Sequence, residues 1–313
     1  MDNAVITTSN DSSIEDYKSI VETYISRSKA DSTIKAYKSD WNDFVLWCMA
    51  ARLTSLPSTP ETVAAYVAHM VDQGRKYSTV ARRIASISKA HQTAGFESPT
   101  RTALVRDTLT GVARTIGTAK KQAIPLRFSD IRKIVYGLDD RLQAKRDKGL
   151  LLLGWNLAAR RSELVALDVN DVTFTDEGMR VALRRSKTDQ SAEGVTFGIN
   201  RCIKDKTLCP VCAVRDWITA ADITFGPLFR AVNRHNHVQQ FELNDKAVER
   251  IIRKYVPECD GHSLRSGFIT DMYAVGTPEA VIAERSRHKS WSVLGSYRRE
   301  ANLFSYDYLD KVI

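Results

Sequence analysis

Apolar residues recur along the first third of the chain at the three- and four-residue intervals of a helix. Ile14, Tyr17, Ile20, Val21, Tyr24 and Ile25 fall on one face, and after a break at 30–32 the pattern returns with Ile34, Tyr37, Trp41, Phe44, Val45 and Cys48. Two amphipathic helices are predicted there. Thr59-Pro60-Glu61 opens another, running to Gly74, because a hydroxyl cap followed by proline at the first helical position suits a helix start. A further helix is predicted over 78–95, and a shorter one over 102–116 carries Leu104, Val105, Leu109 and Val112. No strand-like alternation interrupts this stretch, so residues 13–116 are expected to form an all-helical domain. Residues 1–12 are polar and aperiodic, a flexible tail ending where Ser12 and Glu15 make a capping-box pattern.

Residues 117–125, Gly-Thr-Ala-Lys-Lys-Gln-Ala-Ile-Pro, lack apolar periodicity and are expected to be an exposed linker. Beyond it the texture changes. Helices are predicted over 129–138 and 141–159. The short segments Val172-Thr173-Phe174, 179–185 and 195–199, separated by Asp, Glu and Gly turns, then predict a small antiparallel sheet. Helical spacing returns over 210–221, 244–255, 263–275 and 278–287. The expected fold class is mainly α: an all-helical N-terminal domain, followed over 126–313 by an α+β domain of helices with a small antiparallel sheet. A chain of 313 residues is long enough to bury two such cores.

With 43% hydrophobic and 27% charged residues the chain is unlike disordered or collagen-like sequences. The longest apolar stretch, around Leu150 to Trp155, falls well short of the roughly eighteen residues of a membrane span, and the N-terminus lacks a basic leader. Neither secretion nor a membrane partner is expected. Against 37 Asp+Glu stand 46 Lys+Arg, a formal charge of +9 with pI near 9.3, which makes nucleic acid the first partner to consider. The five cysteines, Cys48, Cys202, Cys209, Cys212 and Cys259, suit a reduced, cytoplasmic setting. Cys209-Pro210-Val211-Cys212, with Cys202, His235 and His237 nearby, suggests zinc or redox chemistry. However, a second C-x-x-C and a His pair at finger spacing are missing, and Pro210 stands where a helix begins, so a packing role is expected and no metal.

The residues that carry chemistry are far apart: Arg160-Arg161-Ser162-Glu163-Leu164, Lys187 between two predicted strands, His262-Ser263-Leu264-Arg265, His288-Lys289-Ser290 and Tyr297. Breaking a phosphodiester without a metal requires a nucleophile, a proton donor for the leaving oxygen and fixed positive charge around the transition state. A tyrosine hydroxyl, ordinarily ionising near pH ~10, is made a better nucleophile by clustered guanidiniums. Arg160 and Arg265 fit that need, since arginine stays charged and holds two oxygens as a planar fork. Glu163, one turn after Arg160, is placed to orient a guanidinium or a histidine. His262 lies one turn before Arg265, and His288 can donate to a phosphate oxygen.

This ordered set, Arg-x-x-Glu-Leu, hairpin Lys, His-x-Leu-Arg, then a His with Tyr nine positions later (297 − 288), resembles the tyrosine recombinase family, also called phage integrases, over 160–297. The helical N-terminal domain ahead of a basic linker is similar to the family's SAM-like core-binding domain. The resemblance implies the DNA breaking-rejoining enzyme fold and a site-specific recombinase that works through a 3′-phosphotyrosyl intermediate with no metal, ATP or other cofactor. It assigns Tyr297 as nucleophile, ahead of the competing Tyr306 and Tyr308, and Lys187 as the acid for the departing 5′ oxygen. His262 falls to proton transfer or phosphate contact, and His288 to phosphate contact.

The implied partners are double-stranded DNA bearing an inverted-repeat site and further copies of the chain: monomer or dimer when free or on one site, a homo-tetramer on two. Arg75, Lys76, Arg82, Arg83, Lys120, Lys121 and Arg287 are expected as DNA-backbone contacts. The sequence departs from the family at Ala158-Ala159, where Gly-Leu is common and where alanines suit a helix, and at Ser286-Arg287, where Leu-Gly is usual. A type IB topoisomerase, relaxing one duplex as a monomer, and a DNA-binding regulator without activity are the alternative expectations. Residues 302–313 carry Phe304, Tyr308, Leu309 and Val312 at helical spacing in a piece too short to bury them, so a neighbouring protomer or the segment's own domain must host them. Deleting 302–313 is expected to weaken synapsis of two duplexes while sparing single-site binding; an unchanged tetramer population on DNA in sizing experiments would contradict exchange.

Overall fold

The computed structural model describes residues 17, 31–119, 122–184, 194–288 and 290–301. The chain divides into two compact units, Met1–Lys121 and Gln122–Ile313. In the first, the described helices are α1 (Asp31–Ala51), α2 (Pro60–Asp72), α3 (Tyr77–Thr93) and α4 (Ala103–Ile116). Thr59 caps α2 as its sequence predicts, accepting the Thr62 amide with Pro60 at the first helical position. The apolar faces read from the sequence meet in one core of Phe44, Cys48, Val63, Tyr66, Val67, Met70, Val80, Ile84, Ile87 and Val105. A polar brace crosses it: Asp43 on α1 accepts from Tyr66 on α2 at 2.6 Å and from both η-nitrogens of Arg83 on α3.

The second unit runs α5 (Phe128–Tyr136), α6 (Leu142–Asn156), α7 (Arg161–Val165), then β1 (Val172–Phe174), β2 (Gly178–Leu183) and β3 (Val195–Asn200). These strands form an antiparallel sheet in that order, pairing Val172 with Val181 and Leu183 with Val195. After α8 (Pro210–Ala220) comes a hairpin of β4 (Arg230–Val232) and β5 (Val238–Glu242), which sequence patterning does not signal because Val238-Gln-Gln-Phe-Glu is short and mostly polar. The unit closes with α9 (Asp245–Tyr255), α10 (Ser263–Ala274), α11 (Glu279–Ser286) and α12 (Trp291–Ala301). Among the described residues no helix is long and apolar enough to cross a membrane.

Two helices organise this unit. Leu150, Leu151, Leu152 and Leu153 of α6 are all buried, so the helix is wrapped on every side, and α10 is buried from Ser263 through Thr270. One helix ends and the other begins at the reactive residues. Gly267 lets α10 lie directly against the backbone entering α5, where the Leu126 amide donates to the Ser263 carbonyl at 2.9 Å. A Cβ at Gly267 would stand 1.8 Å from the Leu126 carbonyl oxygen. Gly267→Ala should therefore destabilise the protein by at least about 1–3 kcal/mol by forcing two backbones apart, read as a lowered thermal midpoint. A midpoint equal to wild type would show that the contact yields freely.

The cysteines are free thiols. Pro210 opens α8 as its position predicts, and buried Cys209 accepts the Cys202 amide at 3.2 Å. His235 and His237 stand exposed in the β4–β5 turn, their amides bound by the Asn233 side chain. Among the described residues no group of three His, Cys, Asp or Glu is arranged to hold a metal ion.

Candidate active site

The expectation of a helix continuing through Ala158-Ala159 is overturned. α6 stops at Asn156, and Ala158 turns into the left-handed region at φ 45°. The Ala158 amide donates back to Trp155 and the Ala159 amide to Gly154, the paired bonds of a Schellman ending. The turn aims carbonyls inward: Ala158 accepts from Arg265 Nη1 at 2.9 Å and Arg287 Nη2 at 3.1 Å, and Leu157 accepts from Arg287 Nη1 at 3.0 Å. The same device ends α11. Arg287, within the predicted 278–287 helix, sits instead at φ 56° and ψ 43°, with its amide bonded to Glu284 and that of His288 to Ala283. Both family positions at which glycine is usual are thus left-handed, the conformation that glycine adopts without penalty.

Arg160 is extended and caps the short helix α7, whose third residue is Glu163. The Glu163 carboxylate is almost fully buried: Oε1 accepts from Arg160 Nη1 at 2.6 Å, and Oε2 accepts from the Arg160 amide and from Arg287 Nη2, each at 2.8 Å. Burial alone would raise its pKa, but the Arg287 charge, the Arg160 amide and the Arg160 charge outweigh it and hold the group below the usual carboxylate range. The expected orienting role of Glu163 thus corresponds to a direct bond with Arg160.

His262 caps α10 and is exposed, and Arg265 lies buried in the first turn behind it. Partial burial lowers the His262 pKa; Asp260 acts against the shift, while Arg161, Arg265 and Arg160 add to it. Burial, then Arg160 and Arg287, bring Arg265 down from 12.5 to about 9, which still leaves it cationic at neutral pH. The His288 ring lies 6.4 Å from that of Tyr297 on α12, tilted by 48°. Tyr297 packs on the cluster of Ala158, Phe268, Ile269, Tyr273, Ile282 and Leu294.

Ser286 is a residue that motif reasoning passes over. Its hydroxyl lies 2.6 Å from the Ile282 carbonyl and 2.8 Å from His288 Nδ1. A carbonyl only accepts, so the single hydroxyl proton goes to Ile282 and the proton between Ser286 and His288 belongs to Nδ1. Arg265 Nη2 lies 3.4 Å from both ring nitrogens, and in this tautomer only Nε2 can accept from it. Burial, with Arg265, Arg160 and Arg287, pushes the His288 pKa down to about 3. A polar residue where the family usually has leucine was the available signal.

Lys187, Lys120 and Lys121, the alternative nucleophiles Tyr306 and Tyr308, residues 302–313 and the predicted elements ahead of 31, save Tyr17, lie outside the described residues. Of the expected DNA contacts, Arg75 and Lys76 are exposed at the start of α3, lining a groove with Ser78, Gly117 and Thr118. Arg82 pairs with Asp40 at 2.8 Å, and Arg83 is largely buried on Asp43. Arg287 also points inward, onto Glu163.

The chain matches the model of the phage integrase family over residues 125–303 and that of the phage integrase N-terminal SAM-like domain over 20–97. It is 34% identical over 299 residues to the integrase/recombinase xerD homolog of Selenomonas ruminantium, covering 92% of this chain and 87% of that protein. It is 23% identical to recombinase cre of Escherichia phage P1, covering 86% and 84%. A crystal structure of a lambda integrase dimer bound to a COC′ core site shares the fold, with TM-score 0.59 at 16% identity over 94% of this chain and 96% of that one. A family match running through Arg160, Arg265, His288 and Tyr297, joined to that degree of identity along almost the whole chain, makes this protein a member of the phage integrase family, a tyrosine site-specific recombinase.

Proposed function

We propose that this recombinase cuts and rejoins DNA with Tyr297 as nucleophile. Tyr297 Oη attacks the phosphorus, the bond from phosphorus to the 5′ oxygen breaks, and a 3′-phosphotyrosyl link remains beside a free 5′ hydroxyl. The phenolic proton passes to His262, whose depressed pKa keeps it neutral and able to accept. Lys187 returns a proton to the 5′ oxygen. The phosphodiester energy stays in the tyrosyl bond, so attack by a second 5′ hydroxyl reverses the step without ATP. Arg160 and Arg265 take the charge that builds on the non-bridging oxygens, and Glu163 holds Arg160 in place.

The observation that carries this reading is the surroundings of Arg265. That one guanidinium is bonded to the Ala158 carbonyl and lies 3.4 Å from the ring nitrogens of His288, whose ring centre is 6.4 Å from that of Tyr297. This closeness supports one site shared by the nucleophile and the phosphate-binding groups. The inferred substrate is duplex DNA with an inverted-repeat site, bound by a monomer or dimer on one site and a homo-tetramer on two, in the cytoplasm with the nucleoid. Arg75 and Lys76 are the favoured backbone contacts of the N-terminal unit. An apolar groove of Trp155, Phe268, Met272 and Ile282 supports exchange of 302–313 between protomers, since it offers those apolar residues a host.

With nicked suicide duplexes, wild type should accumulate a covalent adduct that maps to Tyr297. Tyr297→Phe should bind DNA equally and form none, and Arg160→Lys or Arg265→Lys should slow adduct formation by about 10- to 1000-fold. Synapsis of two labelled duplexes separates recombination from relaxation by a monomer; an adduct on another tyrosine would overturn the assignment.

The His288 environment sets a pH dependence. Its folded pKa, about 3, lies below the ordinary 6.5, so between those values the unfolded chain binds a proton that the folded one does not. The resulting contribution to stability is complete above pH 6.5 and fades as pH falls toward 3. In histidine-labelled NMR, His288 should remain neutral with its proton on Nδ1 at pH 5; a midpoint near 6.5 would refute the depressed pKa, and a proton found on Nε2 would refute the tautomer assignment.

A further inference from the structure

Arg287 carries chemistry that its place in the sequence does not announce. Its backbone is left-handed, a conformation costing a side-chain-bearing residue about 1–2 kcal/mol relative to the right-handed one, yet the side chain is 8% exposed and densely bonded. Nη1 donates to the carbonyls of Leu157 at 3.0 Å and Arg285 at 2.8 Å, while Nη2 donates to Ala158 at 3.1 Å and to Glu163 Oε2 at 2.8 Å. The η-nitrogens are thereby fully used inside the protein, and the Nε–H is buried with no hydrogen-bond partner. The guanidinium carbon also lies 5.2 Å from the centre of the Phe197 ring. With its η-nitrogens spent and its one unpartnered N–H enclosed, the guanidinium presents no exposed donor to a phosphate.

What it grips is the carboxylate that grips Arg160. Glu163 Oε1 takes the Arg160 side chain, and Oε2 is shared between the Arg160 amide and Arg287. We propose that Arg287 is a positioning residue for DNA cleavage: it clamps Glu163 from the end of α11 and through it aims the Arg160 guanidinium, making no DNA contact itself. This rests on the cleavage reading above. The charged groups acting on Glu163 are Arg160 at the start of α7, Arg287 after α11 and, from α10, Arg265. Without Arg287 the carboxyl keeps its burial and loses the strongest influence holding its pKa down, so Glu163 should take up a proton at higher pH and release Arg160.

The test uses the full chain with Arg287→Gly, which keeps the backbone turn comfortable, and Arg287→Lys, which keeps a charge without the fork. Single-turnover adduct formation on a suicide duplex should fall about 10- to 100-fold in Arg287→Gly, the range of one charge-assisted hydrogen bond, with the acid limb of the rate profile moved to higher pH and partial recovery in Arg287→Lys. In a Glu163→Gln background the same substitution should cost little more. The salt dependence of single-site DNA binding should keep its wild-type slope. A slope shallower by about one ion would make Arg287 a phosphate contact, and unchanged rate and pH profile would leave it a packing residue; either overturns the proposal. If wild type forms no adduct, the cleavage reading fails by itself, and thermal stability against pH still tests the clamp. The acid-side loss of stability attributable to Glu163, found by comparison with Glu163→Gln, must begin at higher pH in Arg287→Gly than in wild type.

Discussion

Everything in the catalytic unit answers to the crowding of positive charge around one buried carboxylate. Arg160, Arg265 and Arg287 act on one another as like charges, and Glu163 is the anion they share. Removing guanidiniums from water and setting them together is unfavourable unless each finds acceptors. Glu163 supplies some; the inward carbonyls of Leu157 and Ala158 supply the others, and these exist only because α6 ends in a left-handed turn. The remaining surplus of positive charge is what a phosphodiester gaining negative charge would neutralise. In the proposed reaction the substrate would meet this electrostatic demand most fully in the transition state.

That demand also explains the histidine. Burial disfavours a charge on His288, and in a field set by Arg265, Arg160 and Arg287 a protonated ring would be a further like charge, so the ring stays neutral beside Arg265. Ser286 selects the tautomer that leaves Nε2 open to it. Imidazole and hydroxyl therefore act on the guanidinium, which in the proposed reaction acts on the phosphate.

Helix content was readable because α1 to α4 bury regular apolar faces, and α6 and α10 are apolar where they lie in the core. The candidate reacting residues stand in the sequence as an ordered motif. What periodicity could not convey was direction. Ala158-Ala159 looks like helix by propensity, but Ala158 is bent by the bonds that close α6 and by the arginines that need its carbonyl. Arg82 and Arg83 read alike in the sequence, but Arg83 is largely buried on Asp43 while Arg82, paired with Asp40, stays exposed. Arg287, beside His288, reads as charge added near phosphate, and only the fold reveals that it faces a buried carboxylate. The β4–β5 hairpin was hidden by its polarity.

The placing of the two strained turns has a mechanical consequence. Each sits one or two residues before a candidate site residue, Ala158 ahead of Arg160 and Arg287 ahead of His288. A left-handed residue held by paired Schellman bonds cannot rotate gradually into an alternative helix; it must break both bonds to leave. The helix ends are thereby stiff where stiffness governs the aim of a guanidinium and an imidazole. Strain at these positions persists because the surrounding contacts over-determine it. In this chain the constraint is met by side chains bearing a Cβ, so the interactions that Arg287 makes must outweigh the backbone penalty that glycine would avoid.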